Sequence, residues 1–103
     1  MNQTHHIKLL DTYWEAVKSG HKRFEVRQND RGYQDGDYVV LHRWADKPGG
    51  PAWTYYYLCN GRYVRDMDDS DKMIFTISYV LPLSALGIDS GFVVFGLKEE
   101  EAE

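Results

Sequence analysis

Cysteine is nearly absent. Cys59 stands alone in 103 residues, which excludes an intrachain disulfide and any cysteine-based zinc site. It reads as a small apolar side chain rather than a nucleophile. Proline is scarce, and no segment is repeated or of low complexity. No apolar run approaches a membrane span, and the opening "MNQTHHIKLL" lacks the basic and apolar regions of a secretion signal. These absences point to a soluble, reducing, cytoplasmic setting away from membranes. Positive charge is not in excess either. A net charge of −4 argues against a general nucleic-acid coat protein.

What is present suits one compact domain. Hydrophobic residues make up 43% of the chain and charged residues 27%, enough for a real core. Aromatics reach 15%, with eight Tyr and three Trp, a composition that favours strands and provides flat faces for stacking. Charge is unevenly placed. Residues 18 to 31 carry Lys18, Lys22, Arg23, Arg27 and Arg31 against Glu25 and Asp30, whereas acids gather in "DMDDSD" and "KEEEAE". One basic surface on an acidic chain fits a defined anionic ligand better than bulk DNA.

The pattern along the chain predicts a mainly β domain over residues 1–98 with one or two helices, and a frayed acidic tail over 99–103. "HHIKLL" reads as a first strand with Ile7 and Leu9 on one face. Asp11 is placed to cap a helix from Thr12 to Ser19, with Tyr13, Ala16 and Val17 as its apolar stripe and Gly20 ending it. "KRFEVRQ", "YVVLHRW", "WTYYYLC", "MIFTISYVL" and "GFVVFGL" read as further strands, and "NGR" as a turn. Short strands at turn-punctuated spacing with one helix suggest a small β-barrel with the helix across one end.

The stretch "SGHKRFEVRQND" is the chemical centre of the sequence. On a strand, Phe24 and Val26 face one way and Arg23, Glu25 and Arg27 the other. A bland reading makes Lys22 and Glu25 an exposed ion pair worth about 0–1 kcal/mol. That leaves unexplained why three charges line one strand face. As a site, Glu25 can deprotonate water or attack an acyl carbon, Lys22 can move a proton or hold an oxyanion, and Arg27 can orient Glu25 or grip an oxygen. The same residues equally suit a binding module, with Lys22 and Arg27 on phosphate and Glu25 on a cytosine amino group. Arg23 and Arg31 join them as candidate substrate-binding residues.

"YWEAVKSGHKRFEVRQNDRGYQDGDYVVL", followed by "ISYVL" and "GFVVFGLK", resembles the ASCH superfamily, and within it a branch of small bacterial and phage proteins. The likeness runs from about His6 to Trp44 and from Ile77 to Lys98; the middle, Ala45 to Lys72, has no counterpart. The resemblance implies a PUA-like β-barrel with a cleft walled by the charged strand, and a nucleoside or RNA as partner. Some ASCH members hydrolyse N4-acetylcytidine with a lysine, a threonine three residues later and a glutamate from a later segment; others are described as ribonucleases. Here Lys22 falls on the lysine and Arg27 on the arginine of the motif. Glu25 occupies the threonine position, and the brief "PLSALGIDSG" replaces the segment that supplies the glutamate. The implied activity is amide hydrolysis on an N4-acylated cytidine by Lys22 and Glu25, in a monomer without cofactor or metal. A non-catalytic RNA-binding module or a ribonuclease stands as the alternative.

The remaining motifs read as structural. "WTYYYL" places Trp53, Tyr55 and Tyr57 on one face, a pattern ordinary strands also show. "DMDDSD" lacks the glycine and the bidentate glutamate of a calcium loop, which leaves a solvated acidic loop. His5 and His6 are adjacent on a strand and face opposite ways, poor geometry for one metal. His21 reads as solvent-facing.

Overall fold

Period-two alternation of apolar and polar side chains writes most of this chain into strands. The computed structural model describes residues 2–50 and 55–99. Its strands are β1 (Thr4–Leu10), β2 (Phe24–Gln28), β3 (Tyr38–Asp46), β4 (Tyr55–Cys59), β5 (Arg62–Val64), β6 (Lys72–Pro82) and β7 (Phe92–Lys98). One α-helix, α1 (Asp11–Lys18), and two short 3-10 turns, Met67–Asp69 and Leu83–Leu86, complete the described elements. No described helix is long and apolar enough to cross a membrane.

The fold is mainly β, and its sheet is open rather than a closed barrel. Pairing runs β2-β7-β6-β3. One edge of β3 takes β1 in parallel, from Tyr38 to Trp44. Its other edge is shared, with β6 opposite Tyr38–His42 and β4 opposite Trp44–Asp46. β5 then pairs with β4, where the short "RYV" run forms a strand that the sequence reading does not assign, since it places Arg62 in the "NGR" turn. β1 and β2 each pair on one side and are not joined to one another. Side chains bridge them instead of backbone: Arg27 Nη2 donates to the Lys8 carbonyl at 2.5 Å, and Arg31 Nη1 to the His6 carbonyl at 2.8 Å.

The inner face carries the core. Ile7, Leu9, Val39, Leu41, Phe75, Ile77, Val93, Phe95 and Leu97 pack with Tyr33 and with Trp14 and Val17 of α1. Burial of each large apolar side chain contributes on the order of 1.5–3 kcal/mol. The helix differs in two respects from its expected form. It begins at Asp11, with Leu10, whose side chain has no acceptor, in the cap position; the Asp11 carboxylate accepts instead from Arg43 Nε at 2.6 Å. Its buried residues are Trp14 and Val17, while Tyr13 is 48% exposed. Gly20 ends it as expected, at φ +86°, where a side chain is strained.

The middle segment folds back over the outer face of β1 and β3. Leu58, His42 and Ser70 are buried there, and the Tyr57 ring meets His42 edge-on at 6.4 Å. Trp53 lies outside the described residues, as do residues 100–103 of the acidic tail. Glu99, the first tail residue, accepts from Arg23 Nη2 at 2.9 Å.

Candidate functional site

β2 turns its charges inward. In its antiparallel pairing with β7, Glu25 lies opposite Phe95 and Arg27 opposite Val93. Directly paired residues share a sheet face, and Phe95 and Val93 are core residues, so Glu25 and Arg27 point to the interior side. Phe24 and Val26 are 47% and 46% exposed, whereas Glu25 is 5% exposed. An ordinary half-buried strand does the reverse.

Two cationic neighbours flank the carboxylate. The Lys22 backbone N–H donates to the Ala16 carbonyl at 2.8 Å, so the end of α1 sets where the lysine stands. Its Nζ donates to Glu25 Oε2 at 3.1 Å and to the Phe24 carbonyl at 2.9 Å. Arg27 Nη2 lies 3.7 Å from Glu25 Oε1, close enough for charge attraction and too far for a hydrogen bond. Glu25 Oε1 is therefore buried without a hydrogen-bond partner. A buried polar atom left unpaired costs about 1–3 kcal/mol, and more when it is charged.

A groove follows the unpaired seam between β1 and β2. One part, of about 350 Å³, is lined by Lys22, Glu25 and Arg27 and, across the seam, by Lys8, Leu9, Leu10, Tyr13 and Trp44. The next, of about 220 Å³, shares Lys8 and Arg27 and adds His6, Gln28, Asp30, Arg31, Tyr33 and Met67 among others. Aromatic faces and cations alternate along it. Lys22 Nζ sits 5.0 Å from the Phe24 ring centre and 5.5 Å from that of Tyr13. Lys8 Nζ sits 5.2 Å and 4.7 Å from the rings of Trp44 and Tyr55.

Of the residues singled out in the sequence, Lys22, Glu25 and Arg27 come together, and Arg31 lies further along the same groove. Arg23 lines neither part. Its guanidinium runs beside Gly20 to Glu99 and over the Phe75 ring at 5.7 Å. His21 is exposed. The acidic run is engaged locally: Asp66 accepts from the Asp68 N–H at 2.9 Å, and Asp71 reaches Arg43 at 3.4 Å. Among the described residues no group of His, Cys, Asp or Glu is arranged to hold a metal ion.

Sequence reasoning missed Lys8 and the partners of the histidines. His5 and His6 do face opposite ways. Inward, His5 Nε2 meets Asp37 Oδ2 at 2.8 Å, and Asp37 also accepts from the N–H groups of Gln3 and Gln34. Burial pushes the Asp37 carboxyl up, but the hydrogen bonds from His5, Gln3 and Gln34 outweigh it and hold the pKa below the usual value. Outward, His6 meets His42, which is buried completely. The signal available in the sequence was the shared outer face of alternate residues on neighbouring strands, legible only once β1 and β3 are known to pair.

A profile of the family described as "Domain of unknown function (DUF3850)" matches residues 4–97. The chain is also similar to the "Uncharacterized 12.9 kDa protein in GpA 3'region" of Escherichia phage P2, with 43% identity over 45 residues. That alignment covers 44% of this chain and 41% of the phage protein's length.

Proposed function

The chain belongs to the DUF3850 family, and because that description carries no activity, we propose a function from the groove itself. The protein recognises a nucleoside-like group and hydrolyses an N4-acyl amide on its base, after the manner of the ASCH-type, PUA-like proteins that the β2 motif resembles. The observation that carries this reading is Glu25 Oε1, a buried carboxylate oxygen without a hydrogen-bond partner, flanked by Lys22 and Arg27.

The chemistry follows from the three side chains. Glu25 takes a proton from water, and the resulting hydroxide adds to the acyl carbon. Lys22 Nζ stabilises the oxyanion of the tetrahedral intermediate. As the C–N bond breaks, the proton held by Glu25 passes to the leaving amine, directly or through Lys22, so that water is added across the amide. Arg27, anchored on the Lys8 carbonyl, keeps the carboxylate turned toward the groove. The rings of Tyr13, Phe24 and Trp44 at the groove wall suit a flat base.

A second reading, RNA binding without catalysis, draws on Lys8, Lys22, Arg27 and Arg31 along one groove. Against it, the buried Glu25 carboxylate stands in the part of the groove lined by Lys22 and Arg27 and repels a phosphate chain running through it. Incubation with N4-acetylcytidine, and with a panel of longer N4-acyl cytidines, tests the first reading through the absorbance change of released cytidine. Release supports it. Substrates that all stay intact at high protein concentration, together with salt-dependent RNA binding, establish the second instead.

A further inference from the structure

The His6 end of the groove is built around a side chain that the amide chemistry does not use. His6 Nδ1 lies 2.9 Å from His42 Nε2. Behind it, His42 Nδ1 lies 2.8 Å from Ser70 Oγ and 3.1 Å from the Met67 carbonyl, and Ser70 Oγ donates to that same carbonyl at 2.7 Å. A carbonyl only accepts, and the Ser70 hydroxyl proton is already directed to it. His42 Nδ1 must then carry a proton, and its Nε2 accepts from His6 Nδ1. His6 is thereby held with Nε2 as its exchangeable position. The protonated ring keeps its bond to His42 and has an N–H left for a ligand. Burial holds His42 below the usual histidine pKa, with His6 and Lys72 acting in the same direction, against the Met67 carbonyl bond and Asp68. Burial thus favours the neutral form of His42.

Around His6 the groove is cationic. Lys8, Arg27 and Arg31 line it against one carboxylate, Asp30, which is 64% exposed and 4.0 Å from Arg31 Nε; Tyr33 lies beneath. Each arginine uses an N–H on a β1 carbonyl, which fixes the guanidinium and leaves further N–H groups to donate. Pre-positioned guanidinium groups, a lysine and a histidine that donates when protonated match a compact multivalent oxyanion.

We propose that this end of the groove is an anion subsite for a phosphate monoester, with His6 as its pH-sensitive ligand and His42 and Ser70 as positioning residues. The subsite extends the proposed function, in that a ligand at Glu25 would carry a phosphate toward His6. It does not depend on amide hydrolysis.

The test is binding without turnover, followed by calorimetry and by NMR of the histidine rings. Sulfate serves as the probe whose own charge is constant over the range, beside cytidine monophosphate and cytidine. Saturable sulfate binding that weakens several-fold from pH 5.5 to 7.5, with the His6 ring signals perturbed by sulfate, is expected. His6→Asn, at an exposed position, should flatten that pH dependence, and Arg31→Gln should weaken binding at both pH values. Tighter binding of cytidine monophosphate than of sulfate or cytidine assigns the anion to a nucleotide; equal binding of sulfate and the nucleotide assigns it to a free oxyanion. Absence of saturable binding by either anion, or an unchanged pH dependence in His6→Asn, overturns the subsite. Because no bond is broken, failure here is separable from failure of the amidohydrolase reading.

Discussion

Arg27 reaches across the seam between β1 and β2 to the carbonyl oxygen of Lys8, 2.5 Å away. The same guanidinium faces Glu25 Oε1 at 3.7 Å. One side chain thus joins β1 to β2 and holds a buried carboxylate at the place where backbone pairing stops and the groove begins. Fold and site are coupled through it.

Replacing Arg27 by Met should therefore weaken both. A hydrogen bond from a charged donor contributes roughly 1.5–3 kcal/mol, and urea denaturation should show a loss of about that size. Amide exchange along β1 should quicken. Arg31→Met, whose side chain is 49% exposed, should cost under about 1 kcal/mol.

The Lys22–Glu25 pair should respond asymmetrically to mutation. Side-chain exposure is 20% for Lys22 and 6% for Glu25. Lys22→Met strands a buried carboxylate and should cost about 1–3 kcal/mol. Glu25→Gln leaves a lysine that can turn to water, and should cost less than about 1 kcal/mol. Equal losses in denaturation would contradict the burial of Glu25.

Acid should destabilise the fold in two stages. The His42 pKa is lowered by burial from its ordinary 6.5, so the unfolded chain binds a proton that folded His42 refuses. Its contribution is complete above that value and falls as the pH drops below it. Asp37 is depressed from 3.8 by its hydrogen bonds, so its contribution is present above 3.8 and is lost as pH falls through the depressed value. Melting temperature followed from pH 8 to 3 should decline first below about 6.5. His42→Gln should remove the first decline and retain the second.

Most strands were legible because alternation is local. Ile7 and Leu9 on β1, and Val93, Phe95 and Leu97 on β7, announce a buried face at every second position. β5 was hidden because Arg62–Val64 is too short to show a period and follows the sharp turn at Asn60 and Gly61, both with positive φ. The parallel pairing of β1 with β3, and hence the open seam, depends on contacts distant in sequence. Within the site, spacing put Glu25 and Arg27 on one face, yet it did not say that this face points inward, since Phe24 and Val26 alternate with them equally well. Arg23 parted from the group because it precedes the strand, which starts at Phe24, so alternation does not govern it. Ser70 lies 28 residues from His42, and nothing local links them.

The most direct test of the Glu25 assignment is single-turnover hydrolysis of N4-acetylcytidine by the wild type, Lys22→Ala and Glu25→Thr. Glu25→Thr introduces a hydroxyl where the ASCH enzymes that the motif resembles carry one, but removes the carboxylate lying between Lys22 and Arg27. The wild type should release cytidine, and each variant should lose roughly 10²-fold or more, with kcat and kcat/KM falling by a similar factor. An inert wild type, or a Glu25→Thr variant that turns over at nearly the wild-type rate, would contradict Glu25 as the catalytic base.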